Sequence, residues 1–142
     1  MVGVPDSPLN LPVPIVFTVC QGIQQVVGGT FNVLSIFDRL TLPMLPDGTP
    51  PQSVRLQVLT VWTGGRGAFE QVLRVLDSDG REIFGGRTPY TLAGTSHRHY
   101  IVALIDLPAA PGVYTLTAGR PELELVRQDF TIELAQLPGS AP

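Results

Sequence analysis

Val72-Leu73-Arg74-Val75-Leu76-Asp77-Ser78-Asp79-Gly80-Arg81-Glu82-Ile83-Phe84 is the stretch whose reading decides the fold class. An extended run ending at Leu76 meets four residues of turn chemistry, and a second extended run leaves them. Asp and Ser side chains bond their own backbone in turns, and glycine enters the left-handed region without steric cost. The segment predicts a β-hairpin with Gly80 as the left-handed residue of a G1 bulge.

Working outward, the same grammar repeats. Upstream, Val54, Leu56, Val58 and Trp62 alternate strictly, and Thr63-Gly64-Gly65-Arg66-Gly67 turns the chain into Phe69 to Leu76. Downstream come a short run at Tyr90 to Leu92 and the strand His97 to Leu107, where Tyr100, Val102 and Leu104 oppose Ile101, Ala103 and Ile105. Both of its faces are apolar. Ala110-Pro111-Gly112 then starts Val113 to Ala118, Gly119-Arg120-Pro121 leads to Glu122 to Val126, and Phe130, Ile132 and Leu134 point inward in the last strand. Toward the N-terminus, Ile15 to Val27 reads as one long strand with a bulge at Gly22, turned by Gly28-Gly29 into Thr30 to Leu42, a central strand covered on both faces. No segment sustains a helical i, i+3, i+4, i+7 stripe. Eight or nine strands with hairpin-length turns predict two packed antiparallel sheets. One domain is expected over residues 15–136, between a proline-rich arm (1–14) and a flexible tail (137–142).

Charged residues make up 15% of the 142-residue chain, against about 25% in ordinary soluble domains. So few charges leave apolar surface uncovered, and self-association is expected. With a net charge of -3 and no basic run, the footprint of a nucleic-acid binder is missing. Every basic residue is arginine, which looks like the imprint of a GC-rich genome. Cys20 has no second cysteine to pair with. No run of 18 uncharged apolar residues predicts a membrane span, and Met1 to Asp6 lacks the pattern of a signal peptide, so the expected address is cytoplasmic.

Leu34-Ser35-Ile36-Phe37-Asp38-Arg39-Leu40, the Gly64-Gly65-Arg66-Gly67 turn, the Val75 to Glu82 hairpin and Pro111-Gly112-Val113-Tyr114 together resemble a family of uncharacterised bacterial proteins catalogued only as a domain of unknown function. The likeness spans Ile15 to Leu134, and Phe37-Asp38-Arg39 is its most specific piece. It implies an immunoglobulin-like β-sandwich and no catalytic residue. Independently, Pro-Gly-Val-Tyr at the start of a late strand matches a tyrosine corner, in which the phenol bonds back to the backbone.

Few residues offer chemistry. Asp38 shares parity with Leu34, Ile36 and Leu40, so it is either a buried binding or catalytic acid, beside Arg39, or a carboxylate swung outward or paired with arginine. His97 and His99 project to one face and can clamp a metal if Asp106 or Cys20 supplies a third ligand; otherwise they are two solvent-facing imidazoles. Asp77 to Glu82 echoes a calcium loop without its closing glutamate, and Gly64 to Gly67, with Arg66, lacks the features of a phosphate loop. No cofactor is expected. The leading expectation is a non-catalytic protein-interaction or structural module acting as a homo-oligomer, whose interface includes the His97 to Leu107 strand or the first hairpin. Second is a small-ligand or carbohydrate binder stacking on Trp62, Tyr90, Tyr100 or Phe84. Third is a metal-assisted enzyme at His97 and His99.

Overall fold

A computed structural model describes residues 11–26 and 30–135. Its nine strands are β1 (Val13–Val26), β2 (Thr30–Ile36), β3 (Arg39–Leu42), β4 (Ser53–Thr63), β5 (Arg66–Leu76), β6 (Glu82–Ala93), β7 (His99–Pro108), β8 (Gly112–Arg120) and β9 (Leu123–Leu134). They form a four-stranded sheet, β2-β1-β4-β7, and a five-stranded sheet, β3-β9-β8-β5-β6. This is an immunoglobulin-like β-sandwich. All pairs are antiparallel except β3 with β9, which run parallel. The Gly28-Gly29 turn, most of the proline-rich arm and the tail lie outside the described residues. β1 starts at Val13, inside the expected arm.

The alternation that predicted strands also builds the core. Leu56 and Val58 of β4, Leu73 and Val75 of β5, Ile105 and Leu107 of β7, Leu116 of β8, and Phe130 and Ile132 of β9 meet between the sheets. The expected hairpin at Asp77 to Gly80 forms, with Gly80 at φ 80° and a register shift at Val75/Leu76. Asp77 Oδ1 accepts the Asp79 and Arg81 amides, both at 2.9 Å. These bonds hold its carboxyl below the usual carboxylate range, and they occupy the group that a calcium loop would turn to a cation.

Tyr114 forms the expected corner. Its hydroxyl donates to the Ala110 carbonyl at 2.6 Å, and its ring stacks on Phe130 at 5.5 Å. Tyr114→Phe keeps the stacking and removes the bond, so denaturant unfolding should show a loss of about 1 kcal/mol. No loss would mean that the corner does not fasten the β7–β8 connection.

The single central strand expected from Thr30 to Leu42 does not form. The chain leaves the four-stranded sheet after Ile36, passes Phe37 and Asp38, and enters the five-stranded sheet as β3. Ser35, at φ 57°, starts the departure, while Phe37 packs edge-on against Phe130 at 6.0 Å and serves as the pivot. Residues of one parity therefore end differently: Leu34 and Ile36 are 44% and 65% exposed, whereas Leu40 and Leu42 are buried. The bulge expected at Gly22 is also displaced, since the irregularity in β1 falls between Pro14 and Val16.

The first hairpin does not stay in the plane of its sheet. Phe31 of β2 stacks on Tyr100 of β7 at 5.1 Å, although these strands are three positions apart, about 14 Å in a flat sheet. The Ile23 amide also donates to Gln57 Oε1 at 2.8 Å. The hairpin therefore rolls back over the outer face of its own sheet. That roll accounts for the burial of Leu59, Val61 and Cys20, which lie on the side of β1 and β4 away from the core, opposite Thr18, Val16 and Gln57.

Candidate functional site

The sequence candidates fall into two separate places. Trp62, Arg66, His97 and His99 lie at one end of the sandwich: Trp62 pairs with His99 across β4 and β7, and Arg66 pairs with Ala93, whose amide donates to His97 Nδ1 at 2.8 Å. Asp38 and Arg39 sit elsewhere, at the crossing between sheets beside β9.

Trp62 is not a ligand platform. It is 0% exposed, stacks on Tyr90 at 5.2 Å and donates Nε1–H to Gln71 Oε1 at 2.7 Å. Tyr90 is buried beside it, and burial pushes its phenol well above the usual tyrosine range. Phe84 packs against the main core, and the ring of Tyr100 is engaged by Phe31. The coplanar exposed aromatics that a carbohydrate binder needs are thus not what these four residues supply.

The histidine pair lacks its proposed partners. The rings of His97 and His99 stand edge-on at 6.5 Å, and His97 Nδ1 is already taken by the Ala93 amide. Asp106 lies at the far end of β7, with its two oxygens bonded to Arg55 at 2.9 and 3.2 Å. Cys20 is buried, and desolvation raises its thiol pKa, which keeps it a thiol at neutral pH. Among the described residues no three His, Cys, Asp or Glu side chains are placed to hold a metal.

Asp38 is exposed, contrary to its parity, because the crossing swings it out of the strand. Its carbonyl accepts the Thr131 amide at 2.8 Å, so its backbone fastens β3 to β9. Arg39 pairs with Glu133 at 2.7 Å. Both residues thus line the start of the parallel β3–β9 ladder, and the buried-acid reading of Asp38 is overturned. Arg66 is exposed at the start of β5 and makes no ion pair among the described residues.

Sequence reasoning missed a hollow on the outer face of the five-stranded sheet. It measures about 430 Å³ and is lined by Val72, Arg74, Glu82, Gly85, Gly86, Arg87 and Pro121. Its arginines face each other across the β5–β6 hairpin, and Pro121 closes it from the β8–β9 turn, so strand pairing rather than a motif creates it. Each is already neutralised, Arg74 by Glu82 at 3.4 Å and Arg87 by Glu70 at 2.8 Å. An anion entering the hollow would have to displace a carboxylate first.

No family model matches the sequence. No curated protein matches it either, so the bacterial family that the Leu34 to Leu40 segment resembles gains no support beyond the sandwich fold. Among solved structures, the chain is similar to the CARDB domain of a Pyrococcus furiosus protein in complex with di-metal ions. The two share 16% identity with a TM-score of 0.41, over 86% of this chain and 89% of that one.

Among the described residues, the strands of the four-stranded sheet carry most of the exposed large apolar side chains. Of the thirteen exposed large apolar residues among those described, nine lie on β1, β2 and β7: Val13, Ile15, Val16, Val26, Leu34, Ile36, Tyr100, Val102 and Leu104. The five-stranded sheet contributes two, Val113 and Leu123. No helix among the described residues is long and apolar enough to cross a membrane.

Proposed function

We propose that the protein is a non-catalytic interaction or structural module that works as a homo-oligomer, with the β7 edge of the four-stranded sheet as its contact surface. The observation that carries this reading is the exposure of Tyr100, Val102 and Leu104, at 42%, 41% and 54%, on one face of a single strand at the sheet edge. Scattered surface apolar residues are ordinary, but a row of them on an unpaired edge is a surface that proteins normally cover. The low charge of the chain agrees with this, because it provides few groups to keep such surfaces apart.

Static light scattering at micromolar concentration tests the reading. The expected mass is at least twice the 15.3 kDa of one chain. A mass of one chain at every concentration up to the solubility limit would refute it.

A further inference from the structure

Which edge meets which follows from comparing the four edges that no described residue pairs with. β3 has four residues and is followed by Pro43. β6 carries Pro89 in its interior, which removes a ladder donor, and its pairing with β5 is irregular. β2 contains Ser35 at positive φ and belongs to the hairpin that rolls out of the plane. β7 has none of these protections. It pairs with β4 in unbroken register from Ser53↔Pro108 to Trp62↔His99, and its only proline is its last residue. Proteins commonly guard such edges with lysine, proline or bulges, and this chain contains no lysine.

We propose that β7 pairs edge to edge with β7 of a second copy of this chain, antiparallel about a two-fold axis at Val102. The two four-stranded sheets then become one sheet of eight. This rests on the homo-oligomer reading and specifies its geometry. Side chains of paired residues must share a face, so only registers in which outward residues meet outward residues are allowed. With the axis at Val102, Tyr100 opposes Leu104 of the copy and Ile101 opposes Ala103 of the copy.

The charges agree with that register. Arg98, one residue before β7, makes no ion pair among the described residues, and the same axis sets it opposite Asp106 of the copy. Asp106 is held by Arg55 of its own chain, yet an ionised carboxylate has lone pairs for a second donor. Moving the axis to Ala103 would set Tyr100 against Asp106 and Arg98 against Pro108. Moving it to Ile101 would set Arg98 against Leu104. Among these three registers, the one centred on Val102 alone matches apolar with apolar and cation with anion, and it does so twice by symmetry.

Two variants and a label test the pairing. Val102→Lys, at an exposed position, should run as a monomer in sedimentation velocity with unchanged far-UV circular dichroism. Arg98→Glu should raise the dimer dissociation constant about tenfold, because two opposite-charge contacts become like-charge contacts. A nitroxide attached through V102C should show dipolar broadening between copies, and one attached through V113C should not; Cys20 is buried and does not compete for the reagent. If the protein associates but Val102→Lys still dimerises and the label at position 102 shows no broadening, the β7 pairing is wrong and the homo-oligomer reading stands. A wild-type chain that stays monomeric overturns both.

Discussion

Truncating Trp62 to alanine is expected to lower the unfolding free energy by about 4 kcal/mol. The indole is fully buried in the smaller of two core clusters, with Tyr90, Leu92 and Ile101 around it, so its removal leaves a cavity between sheets that cannot close over it. A second cost follows. Gln71 is 1% exposed, and its Oε1 accepts the indole N–H; without that donor a buried amide oxygen is left unpaired, a loss of about 1–3 kcal/mol. Trp62→Phe separates the two effects, since it keeps most of the ring and discards the donor. In that background Gln71→Met should recover part of the loss, because removing both partners of a buried bond costs less than removing one. Urea unfolding of the three variants checks this. A Trp62→Phe protein as stable as the parent would show that the bond contributes nothing.

The second large effect is at Gly119. A Cβ there would overlap the Leu123 carbonyl oxygen and lie 2.8 Å from Glu124 Cα. Both obstacles are backbone, and the β8–β9 register shifts at this point, between Ala118 and Gly119. A side chain can turn away from an added methyl, whereas a paired strand has to open. Gly119→Ala should therefore cost about 3 kcal/mol. Amide exchange should quicken first at the Gly119–Glu124 end of the ladder and least at the Gly112–Ile132 end. A neutral substitution would mean that the close approach of the two strands relaxes freely in solution.

Local chemistry was the legible part of the sequence. Asp77 to Gly80, the Tyr114 corner and the inward set Phe130, Ile132 and Leu134 are each decided within a few residues, and the structure contains all three. The path of Thr30 to Leu42 was not legible, because a strand that continues and a strand that hops between sheets have the same period of two. What separates them is the partner of β3, which lies in β9, about ninety residues further on. Asp38 was misplaced for the same reason: parity carried across the hop put it with Leu40, while the crossing turned it to solvent. Trp62 is a different kind of miss. Its alternation with Leu56 and Val58 already places it on the core side of the strand, where a fully buried ring has no face to offer a ligand.

The apolar faces of His97 to Leu107 were visible from the sequence, but its position at an edge was not, since edge and centre differ only in which distant strand arrives beside them. That position turns a two-sided apolar strand into an unfinished surface, which the proposed β7–β7 pairing covers with another copy. Hydroxyl-radical footprinting across a dilution series measures this directly. Tyr100, Val102 and Leu104 on β7 should be protected at high concentration and become reactive on dilution, while Val113 and Leu123 on the other sheet react alike throughout. Equal reactivity of Tyr100 and Leu104 at all concentrations would contradict the account.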